Sequence, residues 1–461
     1  KEETGKKKRP AVRTDTVIWV DPIVFAIGPV VFVFFIFLLY GGKRGAVYSL
    51  STLIDIFLFI SIYFTILLVF LPVLRKYYTA RACATLWLIP AFLFYMPHIY
   101  SRIAAELPYV VIYIPKKMIQ ILFGIWLAGF LILLTAQVVS HLLFSRKLMK
   151  ASEEVEDPAM TELWECEKKK LGQNFPVGLR VCRLISTPLT IGMWKEGRIT
   201  YLPEQQYTRE EAELVFCHEL HHIQRNDTHT KFFLAFCKAF GWPLPFVWLA
   251  VRRAEDDLEL SCDEIVLKDA DSDRRKTYAR LLLTTAGNAR GFTTCLSASA
   301  ETLRYRMKET VHEKKKRTGT GLLFLVMFLS CFTVGKIAFA MDRADISEVL
   351  QADLTDISHA VLKNDAKGTE YAEIQDVKAL AVYLADQQVE EMVYQYDGNV
   401  SGSPAKGANV RNLNCEITSP DIEIHIFGDY MEIYRDGYLI PTLYHMAEPL
   451  DWEYIGTLVE R

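Results

Sequence analysis

The chain has 461 residues, 51% hydrophobic and 23% charged, with a formal net charge of −3. That length allows about three domains, and the near-neutral balance excludes the basic footprint of a nucleic-acid binder, so no direct contact with nucleic acid is expected. The nine cysteines include no Cys-x-x-Cys pair, which argues against a disulfide framework.

The apolar residues fall in blocks, the pattern of a membrane protein. The first, 17–40, follows Lys6, Lys7, Lys8 and Arg9; it is too long for a signal-peptide core and no small-residue cleavage site follows it, so it is read as a retained transmembrane helix. Further spans are expected at 48–74, 80–97 and 118–144, making 1–144 an N-terminal membrane region, and a last one at 319–341. Orientation follows the basic loops: Lys6 to Arg9, Arg75 with Lys76 and Arg81, Arg146 with Lys147 and Lys150, and Lys314 to Arg317 all fall inside when four helices precede residue 145, against Lys43, Arg44, Lys116 and Lys117 outside. The intervening 145–318 is then a cytoplasmic domain, and 342–461 lies outside the cytoplasm.

Within 145–318, strand-like runs at 178–185 and 198–202 precede a helix starting at Thr208, with Glu210 and Glu211 in its first turn where acidic residues suit the dipole. Pro243 and Pro245 break the apolar stretch 232–251, which is expected to touch the bilayer. The helix carries Cys217-His218-Glu219-Leu220-His221-His222. His218 and His222 stand one turn apart on one face, where two imidazoles can hold one ion, and Glu219 beside them is placed as general acid/base for peptide hydrolysis. A catalytic zinc takes three protein ligands and leaves a position for water. Thirty-seven positions after His222, Glu259 and Asp263 are four apart on one helical face. Glu259 is the expected third ligand, and Asp263 the acceptor of a ligand imidazole's other N–H.

Other residues near the motif have plainer readings. His221 points about 100° off the ligand face and, like His229, is read as solvent-exposed. Cys217 and Cys262 are read as small buried hydrophobes, and Asp256, Asp257 and Glu264 as a solvated or salt-bridged face. The Ser403-x-x-Lys406 match to a nucleophile motif has no Lys-Thr-Gly partner and is read as chance.

Several stretches together resemble the BlaR/MecR-type membrane metallopeptidases, signal transducers of Gram-positive bacteria: Ser186-Thr-Pro-Leu-Thr190, Tyr201-Leu-Pro203, His218 to His222 with Arg225-Asn-Asp227, Trp242-Pro-Leu-Pro245, and Glu259-Leu-Ser-Cys-Asp-Glu264. The resemblance implies a gluzincin domain in which His218, His222 and Glu259 hold Zn2+ and Glu219 is the acid/base. It also implies a bacterial cell membrane location, an extracellular signal and removal of a transcriptional repressor. The family's penicillin-binding domain needs about twice the length of 342–461, so β-lactam sensing is not expected.

The C-terminal part reads as a compact α+β module, with a helix-containing start at 353–388 and strands at 422–427, 430–434 and 438–440, the last two joined by an Arg435-Asp-Gly437 turn. The expected fold is therefore a multi-pass α-helical membrane protein with an inserted α+β gluzincin-like zinc metalloprotease domain and a small C-terminal α+β extracytoplasmic domain. The expected function is a membrane-embedded zinc metalloendopeptidase in transmembrane signalling, cleaving a cytoplasmic protein. The basic stretch around Arg304 and Arg306, read as a flexible link to the last helix, is the expected self-cleavage region. Expected partners are the lipid bilayer, a cytoplasmic substrate and an extracellular ligand, with a second copy of the chain among the candidates. The rival readings are a receptor that signals without proteolysis and a housekeeping membrane protease.

Overall fold

The computed structural model describes residues 42–93, 110–172, 176–194, 197–287, 300–311, 316–331, 337–364, 370–393, 411–417, 421–435 and 441–459, preceded by scattered helical positions 24, 28, 31, 34, 35 and 38. The rest of the expected span 17–40, Lys314 and Lys315, the 403–406 motif, the 436–437 part of the expected turn and the expected strand 438–440 lie outside them. The chain divides into two compact units, 1–28 with 60–92 and 126–328, and 29–59 with 93–125 and 329–461.

Among the described residues, two helices are long and apolar enough to cross a membrane, α1 (Gly42–Tyr77, 36 residues) and α4 (Lys116–Lys150, 35 residues). At about 1.5 Å per residue each exceeds the ~30 Å hydrocarbon core. They coincide with the expected spans 48–74 and 118–144.

Two further expected spans, 80–97 and 319–341, are described in part, with 94–97 and 332–336 outside the described residues. Residues 80–93 form two short helices, α2 (Ala80–Leu86) and α3 (Ile89–Leu93), with a break at Trp87 and Leu88. These residues are apolar because they are buried in protein: Trp87 is 1% exposed and donates its indole N–H to Asp257 at 2.8 Å. Of the last expected span, 319–341, helix α11 (Thr320–Cys331) covers the start and 337–341 is strand. Ile337 to Ala340 pair in parallel with Val110 to Tyr113, a non-local partnership no sequence window reveals.

The first unit holds a four-stranded sheet in the order β2-β3-β5-β4, where β2 is Ser152–Glu154, β3 Gly178–Cys182, β4 Leu189–Ile191 and β5 Ile199–Pro203. Beside it lie α5 (Pro158–Lys170), α6 (Arg209–Gln224), α7 (Asp227–Phe240), α8 (Pro245–Val266), α9 (Ser272–Gly287) and α10 (Ala300–Val311). Trp164 of α5 and Phe216 of α6 meet edge to face at 5.1 Å in a core that also takes Leu214, Leu220 and Leu202. Pro245 begins α8 at its first turn, so the paired prolines mark a helix–helix junction. There the Trp242 indole donates to the Trp126 carbonyl at 3.0 Å, and its ring fills the space beside Gly129, where a Cβ would stand 2.3 Å from Trp242 Cε2. Phe246, Trp248 and Leu249 at the start of α8 stay exposed.

The second unit is a nine-stranded sheet ordered β1-β6-β9-β13-β12-β11-β10-β7-β8. Its strands are β1 (Val110–Tyr113), β6 (Ile337–Asp345), β7 (Ile357–Asn364), β8 (Glu370–Glu373), β9 (Gln388–Val393), β10 (Arg411–Ile417), β11 (Ile422–Phe427), β12 (Tyr430–Arg435) and β13 (Thr442–Met446). Alternate strand residues Leu413, Ile424, Ile426 and Met431 share a core with Leu380 and Leu384 of α13 (Val377–Ala385), after α12 (Ile346–Leu350), and with Ile455 of α14 (Trp452–Thr457). Gly428, at φ 55°, makes the two-residue turn between β11 and β12, a left-handed conformation that favours glycine.

Candidate metal centre

Helix α6 starts where the sequence places it. Thr208 accepts the N–H of Glu211, whose carboxylate in turn accepts the N–H of Thr208, so both ends of this capping box are satisfied. The helix brings His218 and His222 together with their Nε2 atoms 3.0 Å apart. Glu259, from α8, sets Oε2 3.5 Å from each of those nitrogens. Ligand atoms in a tetrahedral site with bonds of about 2.0–2.1 Å lie about 3.3 Å apart, so these three donors fit one ion of that size.

Each imidazole is held from behind. After α6, Asn226 takes the left-handed conformation (φ 56°) and reverses the chain, so that Asp227 at the start of α7 reaches back to His222. His222 Nδ1–H donates to Asp227 Oδ2 at 2.6 Å, and Arg225 holds the same carboxylate at 3.0 Å. His222 Nε2 is thereby left with its lone pair toward the other donors.

Behind His218 the expected arrangement is extended by a residue the sequence reading did not place. Asp263 Oδ1 lies 3.5 Å from His218 Nδ1, but the Tyr278 hydroxyl is nearer, at 2.9 Å, and donates its proton to Asp263 at 2.5 Å. Tyr278 can therefore accept from His218 Nδ1–H while donating to Asp263. Arg306 closes the chain with two bonds to Asp263, both 2.7 Å, and stands 3.7 Å from Glu259. Residues 304–308 belong to α10, so the expectation of a flexible link is corrected: burial and the two-pronged ion pair of Arg306 fix this turn.

Glu219 is 6% exposed and accepts the Thr190 hydroxyl at 2.8 Å; Thr190 and Thr200 are also hydrogen-bonded, at 2.9 Å. Thr190 lies on β4, an edge strand among the described residues. Glu259 is held far below the ordinary carboxylate range: burial opposes its charge, but nearby positive charge, led by Lys231 at 3.1 Å from Oε1, outweighs it.

The plainer readings are partly overturned. His221 and His229 are each 5% exposed, paired with the carbonyls of Cys217 and Met193 at 2.6 Å. Buried imidazoles need such partners, supplied here by the preceding turn for His221 and by the segment after β4 for His229. Asp257 is fully buried and joined to Arg75 at 2.7 Å, while the half-buried Glu264 accepts the N–H groups of Ala80 and Arg81, so this acidic face is a paired one. Cys262 is buried as expected, yet its sulfur faces the histidines: one donor atom from each of His218, His222 and Cys262 lies within 4.8 Å of the others.

Residues 109–309 match the family described as BlaR1 peptidase M56. The regulatory protein BlaR1 of Bacillus licheniformis is 29% identical over 161 residues, 35% of this chain and 27% of that protein. The matched stretch is thus about a quarter of that relative's length. M56 peptidases are metal-dependent, in keeping with the convergent donors on α6 and α8.

Proposed function

We propose that the chain, whose residues 109–309 match the family described as BlaR1 peptidase M56, is a membrane-embedded zinc metalloendopeptidase of transmembrane signalling. One observation carries this reading: His218, His222 and Glu259 converge on one point, and Glu219, next to His218 in the chain, has its carboxylate held by Thr190. These residues would hold the ion, which when bound polarises a peptide carbonyl and acidifies water. Glu219 removes a proton from the attacking water and delivers it to the departing amine nitrogen. Among the described residues the outer edge of β4 has no strand partner, and an extended peptide pairing there would lay its backbone beside Glu219.

In this reading the peptidase domain faces the cytoplasm, cuts a cytoplasmic protein of the transcriptional-repressor class and cuts its own chain during activation, and 342–461 receives the signal outside. The zinc identity rests on the nitrogen and carboxylate donors and their spacing. Metal content and cleavage of purified wild type are to be compared with Glu219→Ala, on a candidate repressor and on the chain itself. Stoichiometric zinc in both proteins with cleavage in wild type alone is the expected result. Zinc without cleavage by the stimulated wild type would support the non-proteolytic receptor.

A further inference from the structure

Helix α8 presents Glu259, Cys262 and Asp263 at i, i+3 and i+4, on one face toward α6. Asp263 is occupied by Tyr278 and Arg306, and Glu259 approaches both imidazoles. Cys262 has the same outlook. It is 0% exposed, its thiol donates to the His218 carbonyl at 3.3 Å, and its sulfur lies within 4.8 Å of the donor nitrogens of His218 and His222. Other thiols face elsewhere: Cys217, on the same helix as the histidines, lies 3.6 Å from His221 Nδ1, and Cys182 and Cys415 sit in apolar cores. A buried small hydrophobe gains nothing from facing two imidazoles, whereas a thiol there is a soft donor that suits zinc.

We propose that Cys262 is a fourth donor to the ion held by His218, His222 and Glu259, so that the resting site is closed by a thiolate instead of open to water. The inference rests on the metallopeptidase reading. As the Cys262 sulfur bonds the divalent ion, its S–H proton leaves to solvent. Opening reverses the step: the sulfur takes back a proton and frees a position for water. Four protein donors make a closed site and three make an open one, so displacing Cys262 separates the resting from the working state.

The test uses the full chain in detergent, loaded with Co2+ as a spectroscopic substitute. A sulfur-to-cobalt charge-transfer band is expected in wild type and in Cys217→Ser, and is lost in Cys262→Ser, which keeps the side chain's shape and still binds one Co2+ through the remaining donors. Bound Co2+ without that band in wild type, or a band that survives in Cys262→Ser, overturns the inference and leaves the metallopeptidase reading standing. Failure of wild type to bind Co2+ or Zn2+ overturns both.

Discussion

Asp227 stands 2.6 Å from Nδ1 of His222, five residues earlier in the chain, because Asn226 turns the backbone through a left-handed conformation between α6 and α7. The contact fixes which imidazole nitrogen carries the proton and so which one can bind a metal. Asp227→Ala is expected to weaken Zn2+ binding about 10–100-fold, the usual cost of removing a carboxylate behind a ligand histidine. Competition with a chromophoric chelator measures it, and unchanged affinity would show that the helix alone orients the ring.

Thr190 acts on Glu219, not on the metal ligands. Thr190→Val removes the 2.8 Å hydrogen bond while keeping the branched shape on β4. A hydrogen bond to a charged group contributes about 1.5–3 kcal/mol, so kcat is expected to fall about 10–100-fold while zinc content stays at one per chain. Loss of zinc from this variant would mean that Thr190 supports the fold of the site more than the placement of Glu219.

Arg306 ties α10 to the site through Asp263, and both side chains are nearly buried. Arg306→Ala leaves the Asp263 carboxylate without its counter-charge, an error that costs about 3–5 kcal/mol when a buried pair loses one member. A lower unfolding temperature of the peptidase unit and weaker metal binding are expected together. Adding Asp263→Asn to that variant is expected to recover part of the stability, because it removes the stranded charge. If the double variant is no better than the single, Asp263 is held by Tyr278 and not by Arg306.

These residues also show what a sequence can and cannot reveal. His218, Glu219, His222, Glu259 and Asp263 are legible because each pair lies on one helix, where spacing alone fixes the face. Tyr278 and Arg306 come from α9 and α10, 60 residues from His218 and 43 from Asp263, and carry no local pattern. The apolar run at 80–97 shows a related limit of sequence reading. Hydropathy cannot tell a segment buried in protein from one buried in lipid, and for 80–93 contacts such as Trp87 to Asp257 show the burial in protein. In 319–341 the apolar run was read whole, although its last residues find strand partners more than two hundred positions earlier.

The sheet of the C-terminal unit carries a titrating group of its own. Glu432 on β12 is 4% exposed, and burial pushes its carboxyl up from 4.5 to about 7, a rise that the Tyr434 hydroxyl, donating at 3.0 Å, offsets only in part. In the unfolded chain this group ionises near its ordinary value, so between there and pH 7 the unfolded state sheds a proton that the folded state keeps. Stability from this site is thus greatest below that ordinary value, falls as pH rises, and levels off above about 7. Glu432→Gln, which cannot ionise, is expected to stabilise the unit at pH 8 by up to about 3 kcal/mol and to change little at pH 4. Amide hydrogen exchange across the β11–β12 hairpin reads this directly, with wild type and variant compared at each pH. Slower exchange in the variant at pH 8 alone supports the shifted carboxyl; equal exchange at both values would mean that the ionised carboxylate is fully solvated or paired in the folded protein.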